Sequence, residues 1–171
     1  HIKNVIKSKI LTDGYYQKKT EELIKNLIKS KFIGLTQSCT AALEMCAILL
    51  NIKSKDEVIM PSYTFVSTAN AFVLRGAKPV YVDIDPKTMN IDTNKIEALI
   101  TNKTKAIIIV HYAGVSCDME KIANLTRKYR IPLIEDAAQA ILAKYKNKSL
   151  GSFGDLSALS FHESKNIHCG H

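Results

Sequence analysis

The sequence reads as an α/β protein: a buried, mostly parallel sheet with helices on both faces, in three layers. Three observations lead there. Apolar runs of four to six residues alternate with amphipathic stretches along the chain. Those runs are apolar throughout instead of alternating with polar residues, as suits strands covered on both faces. Finally, 171 residues, 46% of them hydrophobic, suffice for one solid core, since a chain this long buries roughly 70% of its unfolded surface.

The elements follow in order. Leu23, Ile24, Leu27 and Ile28 recur at helical spacing and predict a helix over 20–30. Residues 32–35 form a short apolar run, and the polar segment 36–40 leads into a helix-favouring stretch, 41–50. A strand is expected at 57–60, a helix at 67–74 and a strand at 79–82. Residues 94–100 predict a short helix, and 106–110 a β-branched, fully buried strand. Asp118 is a suitable cap for a helix reaching Tyr129, followed by a strand at 132–134. Shorter strands are expected at 143–145 and 156–160. No internal repeat or linker-like segment interrupts the pattern, so length and pattern suggest one domain.

Composition excludes several classes. The chain is too apolar for disorder and, with four Pro and seven Gly, too poor in both for a fibrous protein. Its net charge is +8, from 24 basic and 16 acidic residues. Apart from Arg75, Arg127 and Arg130, the basic residues are Lys. Arg for base edges and interspersed aromatics for stacking are both missing, which argues against nucleic acid. A solvated helix face explains the Lys excess, and an anionic small-molecule ligand would fit it too. Cys39, Cys46, Cys117 and Cys169 form no C-x-x-C pair and read as free thiols in a reducing compartment. No run approaches the ~18 consecutive apolar residues of a membrane span. A soluble, cytoplasmic protein is expected.

In open parallel sheets ligands bind at the carboxyl ends of the strands. No G-x-G-x-x-G or G-x-x-x-x-G-K-[ST] occurs there, which argues against a dehydrogenase or a P-loop enzyme. Ser38-Cys39-Thr40-Ala41 stands at a helix mouth, where free N–H groups suit a phosphate, although an N-cap gives the same pattern. Glu135-Asp136-Ala137-Ala138-Gln139 follows a buried strand, where an acid needs a cationic partner or a function. Lys165 lies just beyond another apolar strand; desolvation there would make its amine nucleophilic, while simple exposure is the plain alternative. An acid to hold a ring nitrogen protonated, a Schiff-base lysine and a phosphate cup are together what pyridoxal phosphate needs. His162, His168, Cys169 and His171 fit no zinc spacing, so no metal is expected. His111 is expected to order the sheet edge or line the pocket.

Four segments carry a family resemblance: Pro61-Ser62-Tyr63-Thr64-Phe65-Val66-Ser67-Thr68-Ala69-Asn70, His111-Tyr112-Ala113-Gly114, Glu135-Asp136-Ala137-Ala138-Gln139, and Ser160-Phe161-His162-Glu163-Ser164-Lys165-Asn166. In this order they resemble the DegT/DnrJ/EryC1/StrS sugar aminotransferases. The resemblance runs from about Leu11 to Gly170. It implies a pyridoxal-phosphate enzyme of fold type I, like aspartate aminotransferase. Residues 35–92 are especially similar to the branch that forms dTDP-4-amino-4,6-dideoxygalactose, a precursor of enterobacterial common antigen.

The roles that follow are implied by that resemblance. Lys165 would bond the cofactor as a Schiff base and shuttle the proton, and Asp136 would pair with the pyridinium nitrogen. Phe65 would stack on the ring, with a core position as the plain alternative. Thr40, Ala41 and Ser160 would contact the phosphate, although Ser160 could equally end a strand. Gln139 would lie beside the ring hydroxyl. L-Glutamate would give its amine to the 4-keto carbon of a dTDP-linked 6-deoxyhexose, in a homodimer. Family members are longer, so residues 1–171 would be a partial cofactor-binding large domain without the small C-terminal domain, and such a piece is expected to be inactive or unstable alone. A catalytically dead remnant of a split or decaying gene is the alternative.

Overall fold

A computed structural model describes residues 1–10 and 12–168 of the chain. Two helices open it, α1 (Ile2–Ser8) and α2 (Tyr15–Ile28), followed by α3 (Cys39–Leu49). The sheet then begins with β1 (Glu57–Pro61), α4 (Val66–Val73) and β2 (Lys78–Val82). Next come α5 (Thr93–Ile96), extended by a 3-10 turn at Glu97–Leu99, then β3 (Thr104–Val110), α6 (Met119–Tyr129) and β4 (Leu133–Asp136). A small hairpin of β5 (Lys144–Tyr145) and β6 (Lys148–Ser149) precedes β7 (Leu156–Ala158).

Five strands form one sheet in the order β2-β1-β3-β4-β7, and every pairing is parallel. The inner strands β1, β3 and β4 are buried along most of their length because helices cover both faces, while the edge strand β2 is partly exposed. Period-two alternation sorts their side chains. Val58, Met60, Ala106, Ile108 and Ile134 pack with Leu43, Ala47, Ala71 and Phe72 of α3 and α4. Ile59, Ile107, Ile109 and Leu133 pack instead with Ile96, Met119 and Ile122 of α5 and α6. Each such fully buried side chain contributes about 1.5–3 kcal/mol through loss of apolar surface to water.

Local chemistry sets the helix ends. The Ser38 side chain accepts a hydrogen bond from the Ala41 N–H and starts α3 at Cys39. Asp118 caps α6 as expected, accepting from the Lys121 N–H, and Asp92 caps α5. Because Asp92 caps one residue earlier than the apolar spacing implies, the helix expected at 94–100 begins at Thr93 and tightens into the 3-10 turn.

Other boundaries differ too. The helix expected at 20–30 begins at Tyr15, since the Thr20 hydroxyl bonds back to the Tyr16 carbonyl inside the helix instead of capping it. The strand expected at 132–134 runs to Asp136, where β3 and β7 supply partners for Glu135 and Asp136. Residues 143–145 contribute to a two-residue hairpin strand, and β7 stops at Ala158, two residues short. The apolar run at 32–35 joins no element, and Phe32 is 88% exposed. Helix α1 carries no buried residue, and its short stripe of Ile2, Val5 and Ile6 at helical spacing is not among the expected helices. Among the described residues no helix is long and apolar enough to cross a membrane.

Candidate functional site

The site lies at the carboxyl ends of the strands, where β1 and β3 run side by side although the chain visits β2 between them. Ligands of doubly wound sheets gather at such a reversal of strand order. Tyr63 follows β1 and Tyr112 follows β3; their hydroxyls are 3.1 Å apart and their ring centroids 5.1 Å apart.

One strand further on, β4 ends with two successive acids that point to opposite faces. Asp136 points into the α3–α4 layer and is 5% exposed. Its Oδ2 accepts a hydrogen bond from the Thr68 hydroxyl at 2.7 Å, and its Oδ1 accepts from the Ala138 N–H at 3.2 Å. Burial pushes the Asp136 carboxyl above its usual range, against those hydrogen bonds and the attraction of Lys165. Lys165, half-buried in the loop beyond β7, is thus within electrostatic reach of Asp136, and of Cys39 as well. That loop closes through the Lys165 N–H to the His162 carbonyl at 2.9 Å.

The remaining predicted residues border the same layer or the ends of the same strands. Thr40 sits in the first turn of α3 with its hydroxyl 2.8 Å from that of Ser67 in the first turn of α4. The Ala41 N–H is occupied by the Ser38 cap at 3.1 Å. Phe65 immediately precedes α4 and is 73% exposed, so it lies outside the core. Ser160 lies past the end of β7, is buried and accepts from the His162 N–H. Gln139 reaches across to the turn after β3, where its Oε1 accepts from the Ala113 N–H at 2.6 Å. This leaves its side-chain NH₂ as the free donor.

The other acid, Glu135, points into the α5–α6 layer and is fully buried. It accepts hydrogen bonds from His111 Nε2 at 2.9 Å and from the backbone N–H groups of Gly151, Phe153 and Gly154. Burial alone would raise its pKa. The hydrogen bonds from His111, Gly154 and Gly151 outweigh that effect and hold the carboxyl below its usual range. His111 accepts the Cys117 N–H at Nδ1, so Nε2 carries its proton toward Glu135. His111 is therefore an internal clamp that orders the end of the sheet and is wholly buried.

Sequence reasoning did not single out Thr68, Ser67 or the Gly151–Gly154 amides. A threonine at the buried face of the apolar stretch Val66–Val73 was the available signal, since a buried hydroxyl requires a partner. Cys39, Cys46 and Cys117 are free thiols. Burial, helped by the charge of Asp136, pushes Cys39 up to about 12 and Cys46 to about 11. Cys117 is likewise pushed to about 12, by burial and then by Glu135. Cys169 and His171 lie outside the described residues. His162 Nδ1 lies 2.9 Å from the Ser164 hydroxyl.

A buried acid, a nearby amine and paired hydroxyls at two helix mouths suit a ligand with a cationic ring nitrogen and an anionic group. Comparison with known proteins gives the same direction. An uncharacterized protein of Methanocaldococcus jannaschii is 49% identical over 98% of this chain and 43% of its own length. The spore coat polysaccharide biosynthesis protein SpsC of Bacillus subtilis is 38% identical over 99% of this chain and 43% of its own. The chain thus spans less than half the length of these curated relatives. The solved structure of Bacillus subtilis NtdA with bound cofactor PMP is 36% identical and superposes with a TM-score of 0.92, covering 99% of this chain and 38% of that one. The sheet that carries these strand-end residues matches one family model over residues 1–171, and the chain belongs to the DegT/DnrJ/EryC1/StrS aminotransferase family.

Proposed function

We propose that this chain is the cofactor-binding part of a nucleotide-sugar aminotransferase, and that Asp136 and Lys165 are the residues on which its chemistry turns. The family's cofactor is pyridoxal 5′-phosphate. One observation carries the reading. Asp136 is buried at a strand's carboxyl end and joins none of the ion pairs among the described residues, yet Lys165 lies within its electrostatic reach. A buried acid of this kind is stabilised by a ligand that brings a cationic N–H. The residues therefore fit the group.

When bound, pyridoxal phosphate supplies an electron sink that stabilises negative charge at the carbon losing or gaining the amine. Asp136 would hold a proton at the ring nitrogen through its charge. Lys165 Nζ, as a free amine, would carry a proton to and from the substrate carbon. Thr40 and Ser160 would bind the phosphate beside the α3 mouth, whose dipole favours an anion. The Ala41 N–H would join them by sharing its hydrogen with the Ser38 cap. Phe65 would cover one face of the ring, and the Gln139 NH₂ would donate to the ring oxygen.

For substrates we propose L-glutamate as amino donor and the 4-keto carbon of a dTDP-linked 6-deoxyhexose as acceptor, in a cytoplasmic homodimer. The polysaccharide role in SpsC's name supports a sugar acceptor, and the local similarity of residues 35–92 supports the specific sugar. The test, made on the longer protein of which this chain is proposed to be part, is uptake of pyridoxal phosphate, read as visible absorbance lost in Lys165→Ala, followed by L-glutamate and then the keto sugar. Bleaching by glutamate and an amino sugar in the product are expected. Absence of the chromophore overturns the reading; a chromophore that glutamate bleaches without sugar amination overturns the acceptor alone.

A further inference from the structure

We propose that Thr68 is a positioning residue that holds the Asp136 carboxylate ready for a cationic ring nitrogen, with Thr64 fixing the direction of the Thr68 hydroxyl. The proposal rests on the reading of Asp136 given above. Thr68 is fully buried on α4, where the other buried residues are Ala71 and Phe72. A hydroxyl there is costly without a partner, and valine has the same shape without that cost. The partner is Asp136 Oδ2, 2.7 Å away.

The direction of the bond follows from counting protons. A threonine hydroxyl has one hydrogen, and a carboxylate can only accept. The Thr68 hydrogen is therefore committed to Asp136. Thr64 Oγ1 lies 2.7 Å from Thr68 Oγ1, so Thr64 must donate to Thr68. Thr64 lies just before α4, ahead of the extended residue Phe65, where the entering chain brings its hydroxyl onto Thr68. Donors in series polarise one another, which strengthens the bond that reaches the carboxylate.

The surroundings show why such a device is useful. Cys39 and Cys46 of α3 face Asp136, and Lys165 and His111 act on it from the loops after β7 and β3. Burial disfavours its charge, whereas Lys165 and His111 favour it. Thr68, fixed in a buried helix, supplies a donor that neither titrates nor moves. It also leaves the Asp136 carboxyl one preferred orientation, with Oδ1 tied to the Ala138 N–H.

The experiment compares Thr68→Val, which keeps the shape, with Thr68→Ser, which keeps the hydroxyl. In the cofactor-free chain, ¹³C NMR titration of the Asp136 carboxyl should move upward by about one pH unit or more in Thr68→Val and return close to native in Thr68→Ser. With pyridoxal phosphate added, the valine variant should bind it about tenfold more weakly, and serine should restore binding. Should Thr68→Val fail to fold, Thr64→Val gives a smaller upward shift of the same titration, and no shift there overturns the proposal. A native chain that binds the cofactor while Thr68→Val matches it in both readouts overturns the assignment of Thr68 alone. A native chain that takes up no cofactor overturns the function proposed above, and with it the purpose given to Thr68.

Discussion

The His111 imidazole and the Glu135 carboxylate meet at 2.9 Å with neither side chain exposed to solvent. Three backbone amides, from Gly151, Phe153 and Gly154, converge on the same carboxylate. One side chain thereby fixes the turn after β3 and the loop that leads into β7. Both lead to strand ends that carry candidate site residues.

Replacing Glu135 by Gln puts an NH₂ where donors converge. At least one buried N–H then loses its acceptor, at a cost of about 2–4 kcal/mol. Urea unfolding should show that loss, and amide exchange at Gly151, Phe153 and Gly154 should accelerate. A variant within 0.5 kcal/mol of native, roughly the scatter of neutral surface changes, would show that the clamp contributes little.

The pH dependence of stability should follow the same group. The folded-state pKa of Glu135 is depressed, so its contribution is fully present above the unfolded carboxylate value of roughly 4.3. It is lost as pH falls through the folded value. Asp136 has the opposite sign: its raised pKa makes ionisation work against folding as pH climbs from the unfolded to the folded value. Denaturation midpoints should therefore fall more steeply below about pH 4 in the native chain than in Glu135→Gln. Parallel curves for the two would contradict this.

Gly154 allows a close backbone crossing. A Cβ there would come within 2.7 Å of the Leu133 carbonyl oxygen and 3.1 Å of that of Leu156, both rigid backbone atoms. Gly154→Ala should cost about 2 kcal/mol or more and lower the melting temperature by roughly 4–8 °C. An unchanged melting temperature would show that the loop relaxes freely.

The buried thiols should be inert in the folded protein. With Cys46 and Cys117 buried and their pKa values near 11 and 12, iodoacetamide at pH 8 should leave both unmodified until denaturant is added. Mass mapping of native against unfolded protein decides it. Rapid native labelling of Cys117 would mean that the layer around His111 opens readily.

The layers of this fold were legible because parallel strands between two helical layers must be apolar on both faces, and residues 58–60 and 106–110 are. The site was legible where a strand end carries a costly residue, as at Asp136. What the sequence withheld was partnership. Nothing in the order of residues says that Thr68 turns to an acid 68 positions away, or that Glu135 recruits amides from a later loop. Nor does spacing tell a capping Ser38 from a ligand-binding one; the hydrogen bond to Ala41 does. Helix α1 stayed hidden because its stripe of Ile2, Val5 and Ile6 lies on only seven helical residues.

The side-by-side acids of β4 have one more consequence. Glu135 completes the scaffold on one face while Asp136 charges the pocket on the other, and only the two-residue repeat of a strand keeps them apart. Slippage of β4 by a single residue would turn Glu135 away from His111 and the three amides and turn Asp136 away from Thr68. The pair therefore acts as a checksum on folding: Asp136 meets Thr68 only in the register of β4 that also brings Glu135 to its amides.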